Sequence, residues 1–132
     1  MRVIKIEDGK AEAIDSDASF KSLRAIIDRR VEILYPFYDD NAALICAADG
    51  SELGLKPNIA LSSQGIVYNI IRGTCVICGL GEPNSAESAK STFSGLPEEL
   101  IDKYLQAINE YKTGIMSNGC YVPILHVDEV DG

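Results

Sequence analysis

The chain has 132 residues, of which 46% are hydrophobic and 24% are charged, values typical of one globular domain with its own core. Twelve basic and twenty acidic residues give a net charge of −8, which disfavours direct nucleic-acid binding because phosphate contacts need clustered lysine and arginine. The start of the chain does not resemble a signal peptide, and the apolar runs are too short for a membrane span. We therefore expect a cytoplasmic protein with no membrane partner.

The first half of the chain predicts four strands and one helix. The strands are expected over 2–6, 11–14, 31–35 and 42–48, and the helix is expected to begin near Phe20. Residues 2–6 alternate as strand residues do, whereas the apolar residues after Phe20 recur at helical spacing. Asp49-Gly50 is a common hairpin sequence, so the last of these strands should pair briefly with residues 52–55 before Pro57 interrupts the pairing.

The second half predicts two further strands, a second helix and an extended C-terminal segment. The strands are expected over 66–71 and 74–80, with a bend at Arg72-Gly73, and the helix is expected to begin at Pro97 and stop near Gly114. A polar loop over 81–95 separates the last of these strands from the helix. Residues 120–127 should form an extended segment at a sheet edge, followed by a charged tail over 128–132.

These elements predict an α+β fold, in which two helices pack on a mostly antiparallel twisted sheet of about five to seven strands. Residues 1–112 should form a single α+β domain, because neither an internal repeat nor a linker divides them. Residues 113–132 then form a C-terminal extension that consists of an edge strand and an acidic tail.

The four cysteines include one pair at the spacing of a redox or zinc motif, Cys75-Val76-Ile77-Cys78. The β-branched residues between them predict a strand, on which side chains three apart point to opposite faces. That geometry opposes both a dithiol and a zinc knuckle, although a four-cysteine zinc site with Cys46 and Cys120 stays open. We favour reduced, buried thiols and expect no cofactor.

Catalytic motifs are absent from the sequence. His126 is the only histidine, and Asp128 follows it on the same face of the predicted strand. This coincidence is weak, and a solvent-facing polar residue is the favoured interpretation. The chain also lacks a glycine-rich phosphate loop, a nucleophile elbow and paired carboxylates in an apolar pattern, so we expect a protein that is not an enzyme.

Hydrogen-bond donors concentrate in two neighbouring segments, residues 54–61 and 68–74. If the two segments pair, their donors converge, and in an acidic protein such a concentration suits an anionic ligand. The candidate ligand-binding residues are Lys56, Asn58, Tyr68, Arg72 and Thr74. The alternative is a structural loop beside a strand end, which needs no ligand.

A series of short motifs runs through the same part of the chain. The motifs are Glu7-x-Gly9, Tyr35-Pro36-Phe37, Ala43-Leu44-Ile45-Cys46, Gly50, Leu53-Gly54-Leu55, Pro57-Asn58-x-Ala60-Leu61, Tyr68-Asn69-Ile70-Ile71-x-Gly73-Thr74, Val76-x-Cys78-Gly79 and the helix from Leu96 to Tyr104. Over about residues 1–112 the chain resembles the family called domain of unknown function 3846. The resemblance implies a small accessory protein of phages and conjugative elements of Gram-positive bacteria, without an established activity. Ile59 departs from it, because that position is commonly arginine.

The favoured hypothesis is a homo-oligomeric binding protein of a phage or mobile element, which sequesters an anionic, nucleotide-type signal of host defence. One alternative is an acidic inhibitor that covers a basic host protein, such as a restriction or DNA-binding enzyme. A thiol redox enzyme would require a depressed cysteine pKa. A structural accessory protein without a ligand is the remaining alternative.

Overall fold

In the computed structural model, ten strands and two helices form within the described residues, which are 1–17, 19–37, 41–80, 93–110, 113–117 and 119–127. The elements are β1 (Arg2–Glu7), β2 (Lys10–Asp15), α1 (Phe20–Ile27), β3 (Val31–Leu34), β4 (Ala42–Ala47), β5 (Pro57–Ser63), β6 (Ile66–Arg72), β7 (Cys75–Leu80), β8 (Phe93–Ser94), α2 (Glu98–Asn109), β9 (Gly114–Ser117) and β10 (Cys120–His126). The strands form two sheets in which most pairings are antiparallel, so the predicted α+β class is confirmed.

The large sheet contains six strands in the order β2-β1-β7-β4-β3, with β8 also paired to β7. Every pairing within it is antiparallel. Each residue of β4 is buried, because both faces of this sheet are covered. The continuous apolar run of the sequence is therefore a strand packed on two sides.

The small sheet contains four strands in the order β6-β5-β10-β9. β5 and β6 form a hairpin through Gln64 and Gly65, whose φ angles of 53° and 80° have the positive sign that a two-residue hairpin turn of type I′ needs. β9 and β10 also pair in antiparallel fashion, whereas β10 runs parallel to β5 and places Leu125 opposite Leu61.

Two hydrophobic clusters lie on opposite faces of the large sheet. On one face α1 buries Leu23 and Ile27 beside Val76. The other face packs against α2 and the small sheet, and Tyr104 is fully buried there. The phenol ring of Tyr104 lies 4.9 Å from the ring of Phe37, measured between centroids. The sheet between the two clusters thus forms the centre of the domain.

The Asp49-Gly50 prediction of a hairpin is wrong. Leu53 N donates to Asp49 O and Leu55 N to Gly50 O, so residues 49–55 form a series of turns. These turns carry the chain from the large sheet to the small one, because β4 and β5 belong to different sheets. Pro57 does not interrupt a pairing; it is the first residue of β5, where its missing N–H is tolerated.

The C-terminal segment also differs from its predicted place. β10 lies between β5 and β9, so it is an interior strand, and β9 occupies the edge. The physical reason is burial, because β10 and the residue after it contribute Val122, Leu125 and Val127 to the core. Gly114 opens β9, whereas α2 already ends at Asn109. The predicted acidic tail and most of the predicted 81–95 loop lie outside the described residues; β8 forms within that loop.

Candidate functional site

The two donor-rich segments lie side by side, which meets the condition under which their donors converge. Pro57 pairs with Arg72 across β5 and β6, and Gly73 N donates to Lys56 O at 2.9 Å. Gly73 has a φ of 79°, and a Cβ there would lie 2.8 Å from Leu55 Cδ1. Only glycine fits this bend without strain. We call this region, together with the β1–β2 turn that contacts it, the sheet junction.

Asn58 connects three parts of the sheet junction through its side-chain amide. Asn58 Nδ2 donates to Ile6 O at 2.8 Å and to Gly73 O at 2.9 Å. Its Oδ1 accepts from Gly9 N at 2.7 Å, and the residue is only 2% exposed. Buried polar groups need such partners, and here the amide supplies them to three backbone groups. Asn58 therefore positions the sheet junction, and its amide faces the protein rather than a ligand.

The remaining predicted residues at the sheet junction make looser contacts. Lys56 Nζ lies 3.7 Å from Asp8 Oδ1, and both side chains are more than half exposed. Thr74 Oγ1 donates to Glu7 Oε2 at 3.2 Å. Arg72 Nη1 donates to Leu55 O at 3.3 Å. Exposed ion pairs of this kind contribute little free energy, and Lys56 and Arg72 have further N–H donors to offer an anion.

Tyr68 does not join the sheet junction. It precedes Arg72 by four residues on β6, which corresponds to about 13 Å along a strand. Its side chain is half exposed and lines a separate cavity of about 480 Å³ with Tyr35 and Ile66. The structure therefore brings together four of the five predicted residues, and Tyr68 lies elsewhere on the small sheet.

A second cavity, of about 440 Å³, opens beside the β1–β2 turn. It is lined by Asp8, Gly9, Lys10, Ala11, Asn109, Tyr121 and Pro123. Its volume lies within the range of small-molecule sites. Asp8 borders this cavity and also contacts Lys56, so the cavity adjoins the sheet junction. We call it the turn cavity.

Hydrogen bonds fix the walls of the turn cavity. Asn109, the last residue of α2, accepts from Ala11 N at 2.7 Å and donates to Ala11 O at 2.9 Å. Gly9 packs closely against Pro123, because a Cβ at Gly9 would lie 3.2 Å from Pro123 Cδ. Lys10 is exposed, and Tyr121 is 57% exposed. The cavity thus offers a cation and an aromatic ring.

The sequence did not identify Lys10, Asn109 or Tyr121 as site residues. They come from the β1–β2 turn, the end of α2 and β10, which meet only in the folded chain. The one local signal is Gly9, whose φ of 76° and contact with Pro123 explain a glycine in this turn. Ile59, where the resemblance expects arginine, is fully buried in the core and cannot contact a ligand.

Three of the four cysteines occupy positions that suppress thiolate formation. Cys75 belongs to the cluster beside α2 and Cys78 to the cluster beside α1, so the predicted placement on opposite faces is confirmed. Burial raises the pKa of Cys78 to about 12 and raises the pKa of Cys75 further. Burial, with the nearby Glu32 carboxylate, also raises the pKa of Cys46 to about 12. Within the described ranges, no three histidine, cysteine or carboxylate side chains are grouped to hold a metal ion.

His126 is half-buried rather than simply solvent-facing. Its Nδ1 lies 3.0 Å from the Oγ of the buried Ser62, and its Nε2 lies 2.8 Å from Thr113 Oγ1. The imidazole therefore joins β5, β10 and the residue before β9. Asp128, the predicted partner, lies outside the described residues.

Comparison with known proteins gives one match, to a protein family. The family model described as Domain of unknown function (DUF3846) matches residues 1–109. No curated protein and no solved structure matches the chain. The matched part contributes the sheet junction and most of the turn cavity, whereas Tyr121 and Pro123 lie beyond it. Among the described helices, none has the length and apolarity required to cross a bilayer.

Proposed function

This chain belongs to the DUF3846 family, and on that premise we propose that it is a non-enzymatic binding protein for an anionic small molecule of nucleotide type. The ligand occupies the turn cavity and reaches across the β1–β2 turn to the sheet junction. Its phosphate groups contact Lys10 and Lys56, and its base lies on the ring of Tyr121.

The turn cavity is the observation that carries this proposal. Its volume of about 440 Å³ suits a mononucleotide-sized ligand, and its lining combines a cation with an exposed aromatic ring. Stacking on an aromatic side chain contributes about 1–3 kcal/mol per base. Asn58 and Asn109 hold the surrounding backbone through hydrogen bonds, so the site is largely formed before the ligand binds.

Asp8 is the group that a phosphate must compete with. Its carboxylate contacts Lys56 and borders the turn cavity. The contact is long and exposed, so a phosphate with two charges can replace it at low cost. This arrangement predicts opposite effects for two neighbouring substitutions. Lys56→Gln removes a cation and weakens binding, whereas Asp8→Asn removes the competing charge and strengthens it.

Asp8→Asn is also a safe substitution for the fold. Asp8 has a φ of 52°, and asparagine adopts this left-handed conformation as readily as aspartate. We expect its affinity to rise about threefold to tenfold, while Lys56→Gln lowers affinity by a similar factor. Tyr121→Phe keeps the ring and retains binding, whereas Tyr121→Ala loses about tenfold or more. If Tyr121 had a purely structural role, Tyr121→Ala would lower the stability of the protein, and the two variants would not differ in affinity in this way.

The test is titration calorimetry with mononucleotides, cyclic nucleotides, ADP-ribose derivatives and inorganic phosphate, preceded by a thermal-shift screen. We expect at least one nucleotide to raise the Tm and to give a dissociation constant that follows the order Asp8→Asn, wild type, Lys56→Gln. A folded sample that binds none of them overturns the proposal. If a nucleotide binds with the same dissociation constant in all variants at Asp8, Lys56 and Tyr121, its binding site lies elsewhere on the protein.

The biological setting belongs to the same proposal. A small binding protein of a phage or conjugative element would act in the host cytosol, where it would lower the free concentration of a nucleotide signal of host defence. A homo-oligomer would multiply the number of sites per assembly. Light scattering during size-exclusion chromatography measures the assembly, and a titration of signal-dependent host activity against protein concentration measures sequestration. A stoichiometric loss of activity is the expected result.

A further inference from the structure

The outer surface of α1 concentrates positive charge in an acidic protein. Residues 20–30 contain four basic side chains and one acidic side chain, a local net charge of +3 in a chain whose total is −8. Lys21, Arg24 and Arg29 line a shallow hollow of about 420 Å³, and Asp28 is the one carboxylate in its lining. We call this hollow, with Phe20 at its end, the basic α1 surface.

The three cations of this surface are available to a partner. Within the described part of the chain, no ion pair involves Lys21, Arg24 or Arg29, whereas the adjacent Arg30 pairs with Asp49. All three residues are exposed. Acidic groups farther away than the Debye length, about 8 Å at physiological salt, are largely screened. A phosphate approaching this surface therefore meets three cations and one carboxylate, that of Asp28.

Helical periodicity fixes the orientation of the surface. α1 buries Leu23 and Ile27 against the large sheet, so Lys21 and Arg24, three residues apart, share the outward face. Ser19 caps the helix by accepting from Ser22 N at 3.1 Å. Lys21 and Arg24 thus lie on a short helix whose inner side packs against the large sheet, and Arg29 lies two residues after its end.

Phe20 adds an aromatic ring to the end of the surface. Its side chain is 45% exposed, although a phenylalanine would normally be buried. One side stacks on Phe93, with 6.2 Å between ring centroids and 24° between ring planes. This contact holds the ring in place and leaves part of it to solvent. An unpaired base can stack on a ring presented in this way.

We propose that the basic α1 surface binds single-stranded nucleic acid. Lys21, Arg24 and Arg29 contact consecutive phosphates, and Phe20 contacts an unpaired base. The open, shallow shape suits a chain that passes over the surface rather than an enclosed mononucleotide. A duplex has no unpaired base for Phe20, and its larger footprint extends toward the acidic remainder of the protein. We expected no direct nucleic-acid binding from the net charge of −8 and from the lack of clustered lysine and arginine along the sequence, but in the folded chain these cations line one hollow.

Fluorescence anisotropy with a labelled single-stranded oligonucleotide tests the proposal on the full chain. Three phosphate contacts predict a slope of about −2 for log K against log salt concentration. Arg24→Gln should reduce the magnitude of this slope by about 0.7. The double variant Arg24→Glu with Arg29→Glu should weaken binding at least tenfold at low salt. Unchanged binding in the double variant overturns the proposal, as does a wild type that binds no oligonucleotide at low salt.

Matched controls separate this site from general charge effects. Lys103 lies on α2, which packs on the opposite face of the large sheet. Lys103→Glu makes the same charge change as Arg24→Glu and should reduce binding far less. Phe20→Leu keeps an apolar contact with Phe93 but removes the stacking ring, and should weaken binding about tenfold. Equal binding of duplex, or indifference to Phe20→Leu, contradicts a single-strand site. Lys56→Gln should leave oligonucleotide binding intact, which distinguishes this surface from the turn cavity.

Discussion

The sheet junction and the basic α1 surface both contain concentrated hydrogen-bond donors, but the two regions use them differently. At the sheet junction, Asn58 is buried and its amide bonds three backbone groups. On the basic α1 surface, Lys21, Arg24 and Arg29 are exposed and form no ion pair within the described part of the chain. Donors that are buried serve the architecture, and donors that stay exposed are available for binding. Burial, rather than residue type, therefore separates the two roles.

The largest effect on stability should come from Asn58→Ala. The substitution leaves Gly9 N, Ile6 O and Gly73 O without their partner, and each unsatisfied buried group costs about 1–3 kcal/mol. We expect a loss of about 4 kcal/mol in the free energy of unfolding, measured by urea denaturation. Thr74→Ala, which removes only an exposed contact with Glu7, is the control and should cost less than about 0.5 kcal/mol. Equal losses of stability in Asn58→Ala and Thr74→Ala would contradict the separation of buried from exposed donors.

Gly73→Ala should have the next largest effect. The residue has a φ of 79°, and a Cβ would lie 2.8 Å from Leu55 Cδ1. We expect a loss of about 2 kcal/mol, because a left-handed conformation is unfavourable for alanine and Leu55 must move. Gly65→Ala is the matched control, since Gly65 has a φ of 80° with open space around it. The loss of stability in Gly65→Ala measures conformational strain alone and should be smaller. The difference between the two losses then measures the cost of the clash with Leu55.

The buried thiols should make the protein sensitive to alkali. Burial raises the pKa of Cys78 from 9.0 to about 12, so the unfolded chain releases this proton first as pH rises. The stability from Cys78 is complete below pH 9 and is lost progressively between pH 9 and pH 12. For Cys78 we expect a loss of about 1 kcal/mol for the first pH unit above 9, and Cys78→Val should remove this share, while the buried Cys46 and Cys75 retain theirs. At neutral pH the half-exposed Cys120 should react with thiol reagents first.

The smallest effect should come from neutralising the basic α1 surface. Arg24→Gln and Lys21→Gln change exposed residues without ion pairs in the described chain, so the free energy of unfolding should stay within about 0.5 kcal/mol of the wild type. Thermal melts of both variants measure this. A large loss would show that these cations stabilise the fold, which contradicts the contrast between the two regions.

Local sequence patterns predicted much of the secondary structure. Alternation over residues 2–6, the helical spacing after Phe20 and Pro97 before α2 all correspond to observed elements. The bend at Gly73 and the contact between the two donor-rich segments were also predictable, because glycine and strand periodicity act within a few residues. Asp49-Gly50 misled the prediction, since the same turn chemistry serves a hairpin and a crossing between sheets.

The sequence by itself determined the fold class and the opposite faces of Cys75 and Cys78, because both follow from periodicity along single elements. Only the tertiary structure decided that the strands form two sheets and that β10 lies inside the smaller one. It alone joined Lys10 to Tyr121 in one cavity and placed Tyr68 away from Arg72. These features depend on contacts between residues far apart in the chain, which no local spacing encodes.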